Sequence, residues 1–238
     1  MRALLSNLPT SEARRLANSH SKAGDVVPLM LSLANNNFDI ADVLLEYGAN
    51  VNEEAGNQSG GPRQTRTPLG AVITFNNRET IGAVDWLLRH GASLVTNREV
   101  GFPAFVPAIR ASMIYEYSKS NILIPARLDN LQLPVLERLV NHFSRLDQIN
   151  HQAKGYFGMT ALRFAVLRLS TEAVNLVLNA GADPDIKAQF DKPLSARELA
   201  NSLREGDVPA EAKERGPDEI QNCLSRFTLI QSMINSRK

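Results

Sequence analysis

The chain has 238 residues, 43% of them hydrophobic, which is enough apolar material for one large domain or an elongated array and too much for a disordered chain. Its 26 Lys plus Arg stand against 25 Asp plus Glu, so the formal charge of +1 supplies no net field to draw it onto nucleic acid or an acidic membrane. The single cysteine, Cys223, excludes an intramolecular disulfide and a multi-cysteine zinc site, fits a reducing intracellular compartment, and reads as a small buried residue of the last helix.

Met1 to Thr10 holds one early Arg and a short Ala3-Leu4-Leu5 run before Pro9, without the apolar stretch of a secretory signal. No later stretch approaches the ~20 apolar residues of a membrane helix. Ser11 to Ala17 predicts a short helix within an N-terminal capping segment, residues 1–26.

From Val27 to Asn52 the sequence VPLMLSLANNNFDIADVLLEYGANVN aligns without a gap to TALRFAVLRLSTEAVNLVLNAGADPD, Thr160 to Asp185. Pro28 and Thr160 are helix-start residues: proline lacks the N–H that a first turn leaves unused, and threonine can accept one that would otherwise be orphaned. Apolar residues follow at Leu29, Leu31 and Leu33, or at Leu162, Phe164, Ala165 and Val166. A polar turn then leads to a second helix with helical spacing, carrying Ile40, Val43, Leu44 and Leu45, or Ala173, Val174, Leu176, Val177 and Leu178. Both helices end at Gly-Ala, Gly48-Ala49 and Gly181-Ala182, where glycine can adopt the left-handed conformation that closes a helix.

Glu53 to Arg66 reads as an enlarged loop; Gly56, Gly60 and Gly61 lack the Lys-Ser/Thr ending of a phosphate loop. The sequon Asn57-Gln58-Ser59 is idle without secretion. A third copy runs from Thr67-Pro68-Leu69 to Gly91-Ala92-Ser93, with extra residues near Asn77 to Thr80 and Trp86 at a core position of its second helix. A degenerate fourth copy begins at Val106-Pro107, resumes at Val135 to Val140 and closes at Ile149-Asn150, with a long segment from Tyr115 to Pro134 between. Lys192 to Leu203 predicts the first helix of a last repeat, and Asp218 to Ser236, after a charged connector, a terminal helix with one face in water.

These residues resemble the ankyrin repeat, whose units open with a Thr-Pro-Leu-His-like tetrapeptide and close with Gly-Ala-Asp and an apolar residue before Asn. The likeness covers about residues 27 to 203. It departs at the histidine position, occupied by Met30, Gly70, Ile109 and Arg163, and in spacing: starts at 27, 67, 106 and 160 are further apart than the family's repeat of about 33 residues. The resemblance implies an all-α, ankyrin-like solenoid of about four to five helix-turn-helix repeats with short β-hairpin connections and capping helices. Its expected parts are the 1–26 cap, repeats at 27–66, 67–105, 106–159 (degenerate) and 160–191, and a C-terminal capping repeat at 192–238.

The family grips protein partners through hairpin tips and the concave surface of first helices, so the expected function is non-catalytic protein binding by an intracellular monomer that needs no cofactor or metal. Large side chains expected at tips or outer first-helix positions are the candidate contacts: Arg66, Phe102, Tyr156, Phe157, Met159, Arg168 and Phe190. Packing against a neighbouring tip explains the aromatics equally well. Arg63, Arg98 and Lys154 belong to the same expected rim, where solvated charge is the alternative. Scattered histidines (20, 90, 142, 151) form no metal pattern, and no Gly-x-Ser-x-Gly elbow occurs. Two other functions stay open: an enzyme or small-molecule binder whose pocket is formed by the 115–134 insertion, and a structural or oligomerisation unit of a larger chain.

Overall fold

The computed structural model describes residues 1–22, 26–56, 67–75, 80–93, 132–146, 148–152, 158–189 and 193–237. The chain divides into two compact units, Met1–Pro107 and Ala108–Lys238. In the first unit lie α1 (Arg2–Leu5), α2 (Thr10–Ala17), α3 (Pro28–Ala34), α4 (Phe38–Glu46), α5 (Pro68–Phe75) and α6 (Thr80–Arg89). The second holds α7 (Gln132–Arg145), α8 (Ala161–Leu167), α9 (Thr171–Asn179), α10 (Ala196–Ser202), a 3₁₀ turn (Glu205–Asp207), α11 (Ala210–Glu214) and α12 (Pro217–Asn235). Among the described residues there is no continuous strand; Ala55 and Met159 each sit in an isolated β-bridge.

The helix starts follow from side chains that satisfy orphaned N–H groups. Thr67 Oγ1 accepts from Gly70 N–H and Thr160 Oγ1 from Arg163 N–H, both at 3.2 Å. The second helices α4 and α9 are capped in the same way, by Asn37 on Ile40 N–H at 3.2 Å and Ser170 on Ala173 N–H at 3.3 Å. For α10 the cap is reciprocal: Ser195 Oγ accepts from Glu198 N–H at 3.1 Å while Ser195 N–H donates to Glu198 Oε2 at 2.9 Å.

Gly48, Gly91 and Gly181 close α4, α6 and α9 with φ of 84°, 87° and 89°. The alanine after each glycine donates back into the last turn, to Leu44, Leu87 and Val177 carbonyls at 2.9, 3.0 and 3.1 Å. That six-residue closure needs a residue at positive φ, which explains the repeated Gly-Ala. The turns between paired helices need positive φ too, and here Asn36 (55°) and Leu169 (50°) supply it without glycine.

Packing follows the repeat logic within each unit. In the first, α3 pairs with α4 and α5 with α6, while α3 lies against α5. Leu29, Met30, Leu33 and Leu44 fill one layer of core, and Leu69, Val72, Ile73, Val84, Trp86 and Leu87 the next. Trp86 is core, as its position predicts, and its indole N–H still finds Asp42 Oδ1 at 2.9 Å.

In the second unit α8 pairs with α9, first helix α10 lies against first helix α8, and second helices α7 and α12 lie against α9. Since α12 also packs on α10, it is the second helix of a last repeat. It buries Cys223, Phe227, Ile230 and Ile234 and turns Gln221, Ser225 and Ser232 to water. The connector expected over 204–217 contains the 3₁₀ turn and α11, and the N-terminal cap has two helices where one was expected. The first helix expected from Val106, and most of the 115–134 insertion, lie outside the described residues.

Candidate partner-binding surface

Inter-repeat hydrogen bonds hold successive helix ends in register, and at three of these junctions one asparagine uses both ends of its amide. Asn18 donates from Nδ2 to Gly48 O at 2.8 Å and accepts Asn50 N–H at 2.7 Å. Asn52 does the same to Gly91 O (3.1 Å) and Ser93 N–H (2.9 Å). In the second unit Asn150 reaches Gly181 O (3.5 Å) and Asp183 N–H (2.8 Å). The next position in that series is Asp185, whose carboxylate instead takes the Arg197 guanidinium at 2.8 and 3.1 Å.

Residues matching Val27 to Asn52 thus occur as a helical pair, a glycine-closed end and an asparagine clip to the next pair, and residues 26–55 match the family model described as ankyrin repeat. The solved crystal structure of EF0377, an ankyrin repeat protein, is similar with a TM-score of 0.53 at 17% identity, covering 99% of this chain and 96% of that one. The protein has the ankyrin-repeat fold. No curated protein matches its sequence. The family's histidine position departs as read: Met30 is core, and Arg163, 5% exposed, donates from Nε to Leu194 O at 2.9 Å, tying α8 to the segment entering α10. Burial holds the Arg163 guanidinium below its ordinary pKa.

Of the candidate contacts, Arg66, Phe102, Tyr156, Phe157 and Phe190 lie outside the described residues, as do Arg63, Arg98 and Lys154. The base of the Tyr156-Phe157 segment is described: Gln152 Nε2 donates to Gly158 O at 2.9 Å and to Lys187 O at 2.7 Å. Gly158 has φ of 66°, and a Cβ there would stand 2.6 Å from Gln189 Cγ. Met159, next along, is half-buried.

Arg168 is a correction. The sequence places it at an outer first-helix position, but it is 1% exposed, because the C-cap of α8 lies inward just before the positive-φ Leu169. A cation withdrawn from water in this way is part of the interior and presents nothing to a partner. Leu31 errs in the opposite direction. Read as one of the apolar residues of α3, it is 56% exposed, while its neighbours Met30 and Ser32 are buried. Spacing alone hid this, since a seven-residue helix has too few turns for its apolar stripe to be assigned.

The histidines do structural work. His90 Nδ1 pairs with Trp86 O at 2.7 Å, with the two rings 4.1 Å apart, and His20 Nε2 pairs with Glu53 Oε1 at 3.0 Å. His142 lies edge-on to Phe143, and burial followed by the nearby Arg145 holds its pKa below the ordinary value. Among the described residues no three His, Cys, Asp or Glu side chains come together as a metal site, and no helix is long and apolar enough to cross a membrane.

Proposed function

We propose that this chain is a non-catalytic protein-binding module that holds its partner through first-helix faces and hairpin tips. Ankyrin repeats in general act this way, and the observation that carries the reading here is Leu31. A 56%-exposed leucine on a first helix whose Leu29, Met30 and Leu33 are buried contributes little to the core and offers apolar contact area at the face where the family binds. The repeats over 27–191 carry that face, and the segments 1–26 and 192–238 close the ends. The Gln152 to Gly158 hydrogen bond, closing the base of the segment that contains Tyr156 and Phe157, supports a role for those two residues as contacts. An intracellular site of action and a monomeric state belong to the same proposal.

The test is affinity capture with mass spectrometry to name a partner, followed by titration calorimetry with the purified partner. Leu31→Asp, and separately Tyr156→Ala with Phe157→Ala, should weaken binding at least tenfold, roughly the loss expected of an interface anchor, with unchanged melting. Unchanged affinity in both variants would overturn the proposal. Loss of melting temperature together with affinity would make these residues core, which also overturns it.

A further inference from the structure

The N-terminal cap carries a pocket of about 450 Å³ lined by Ser6 and Leu8 from the α1–α2 turn, Thr10 and Arg14 of α2, and Glu46, Tyr47 and Gly48 at the end of α4. Two observations make its charge unusual. The first is that Glu46, the one carboxylate in its lining, is taken by Arg2, with both guanidinium Nη atoms on both carboxylate oxygens, one of them at 2.9 Å. That pairing holds the Glu46 carboxyl below its ordinary pKa, so it stays an engaged anion.

The second is the position of Arg14. Its stem lies across Gly48, where a Cβ would stand 3.1 Å from Arg14 Cγ and 3.3 Å from Cδ. Glycine at this position is what lets the stem approach. Three carbonyls at this helix end already have donors: Leu45 O accepts Gly48 N–H, Leu44 O accepts Ala49 N–H, and Gly48 O accepts Asn18 Nδ2. Among the described residues no carboxylate or carbonyl accepts from the Arg14 guanidinium, and the hydroxyls of Thr10 and Tyr47, which line the same pocket, are likewise without a partner.

We infer that this pocket is a recognition site for one carboxylate, held by Arg14 with the Thr10 and Tyr47 hydroxyls, with Leu8 against the carbon that bears it. A guanidinium presents parallel N–H donors that match the two oxygens of a carboxylate. Charge selects a monoanion: Arg2, Arg14 and Glu46 sum to +1, and Glu46 in the wall repels a second negative charge. The carboxylate can belong to an acidic side chain of a protein or to a free small acid. The site is separate from the first-helix face and does not rest on the proposal for that face.

The experiment is a titration of the ¹⁵N-labelled full chain at constant ionic strength with sodium acetate, with the peptide acetyl-Gly-Glu-Gly-amide, and with its Gln counterpart. Saturable shifts at the Thr10, Arg14 and Gly48 amides, with acetate or the Glu peptide and not the Gln peptide, are expected, with dissociation constants on the order of millimolar. Arg14→Gln should weaken them about tenfold or more, whereas Arg15→Gln, which removes a cation paired with Glu12 at 2.8 Å, should not. Tighter binding of the Glu peptide than of acetate assigns the carboxylate to a protein segment, and equal binding assigns it to a small acid. No saturable shift, shifts that persist in Arg14→Gln, or saturation by inorganic phosphate alone would overturn the inference.

Discussion

Asn150 and Asp183 are 33 residues apart, yet the amide oxygen of the first accepts the backbone N–H of the second at 2.8 Å. The same bond joins Asn52 to Ser93, across 41 residues, and Asn18 to Asn50, across 32. The clip therefore spans intervals of different length, because extra residues fall outside the described helices while the helix ends stay in register.

Removing a clip should loosen one inter-repeat junction. Asn52→Ala deletes both the donor to Gly91 O and the acceptor for Ser93 N–H, and a loss of about 1–2 kcal/mol is expected in urea denaturation. Asn52→Asp keeps the acceptor and loses only the donor, so it should cost less. Equal stability of all three proteins would show that solvent replaces the clip at no cost.

The closing glycines separate backbone conformation from crowding. Gly91 and Gly181 have positive φ with open space where a Cβ would go, so alanine at either should cost about 1 kcal/mol, from backbone conformation alone. Gly158→Ala adds a collision with Gln189 and should cost more. Thermal melts of the three variants rank them directly, and a Gly158 variant no worse than Gly181 would mean Gln189 moves freely aside.

Core depth distinguishes two second-helix leucines that stand one position apart in the aligned repeats, Leu44 opposite Val177 and Leu176 opposite Val43. Leu44 is 1% exposed and Leu44→Ala should cost roughly 2–5 kcal/mol, whereas Leu176 is half-buried and its alanine variant should fall below that range. Comparable losses in chemical denaturation would contradict this ordering.

Acid should weaken the last junction first at Asp185. Its side-chain hydrogen bonds to Arg197 hold the carboxyl below the ordinary carboxylate range, and Arg197 in turn donates to Ile234 O and Arg237 O at the end of α12. A depressed folded-state pKa means the stabilisation is present above the unfolded-state value, near pH 4, and is lost as pH falls through the lower folded one. Asp185→Asn should therefore flatten the decline of melting temperature below pH 4, modestly, since the carboxylate is largely exposed. An unchanged acid slope would show that the pair makes no net contribution.

Local chemistry determined much of this protein from sequence alone. The starts at Pro28 and Thr160, the closing Gly-Ala pairs and the buried Trp86 depend on a helix and its own ends, so the residues that specify them lie within a few positions of the effect. Tertiary structure decided what depends on a neighbouring repeat. Leu169 takes a positive φ usual for glycine, with its side chain fully buried and its carbonyl accepting from Arg226 of α12 at 3.0 Å, an arrangement no local pattern announces. Arg168 faces inward and Leu31 outward because stacking, rather than residue type, fixes which side of a short helix meets another. Arg2 likewise reaches Glu46 from far along the chain, a pairing that only the folded chain brings about.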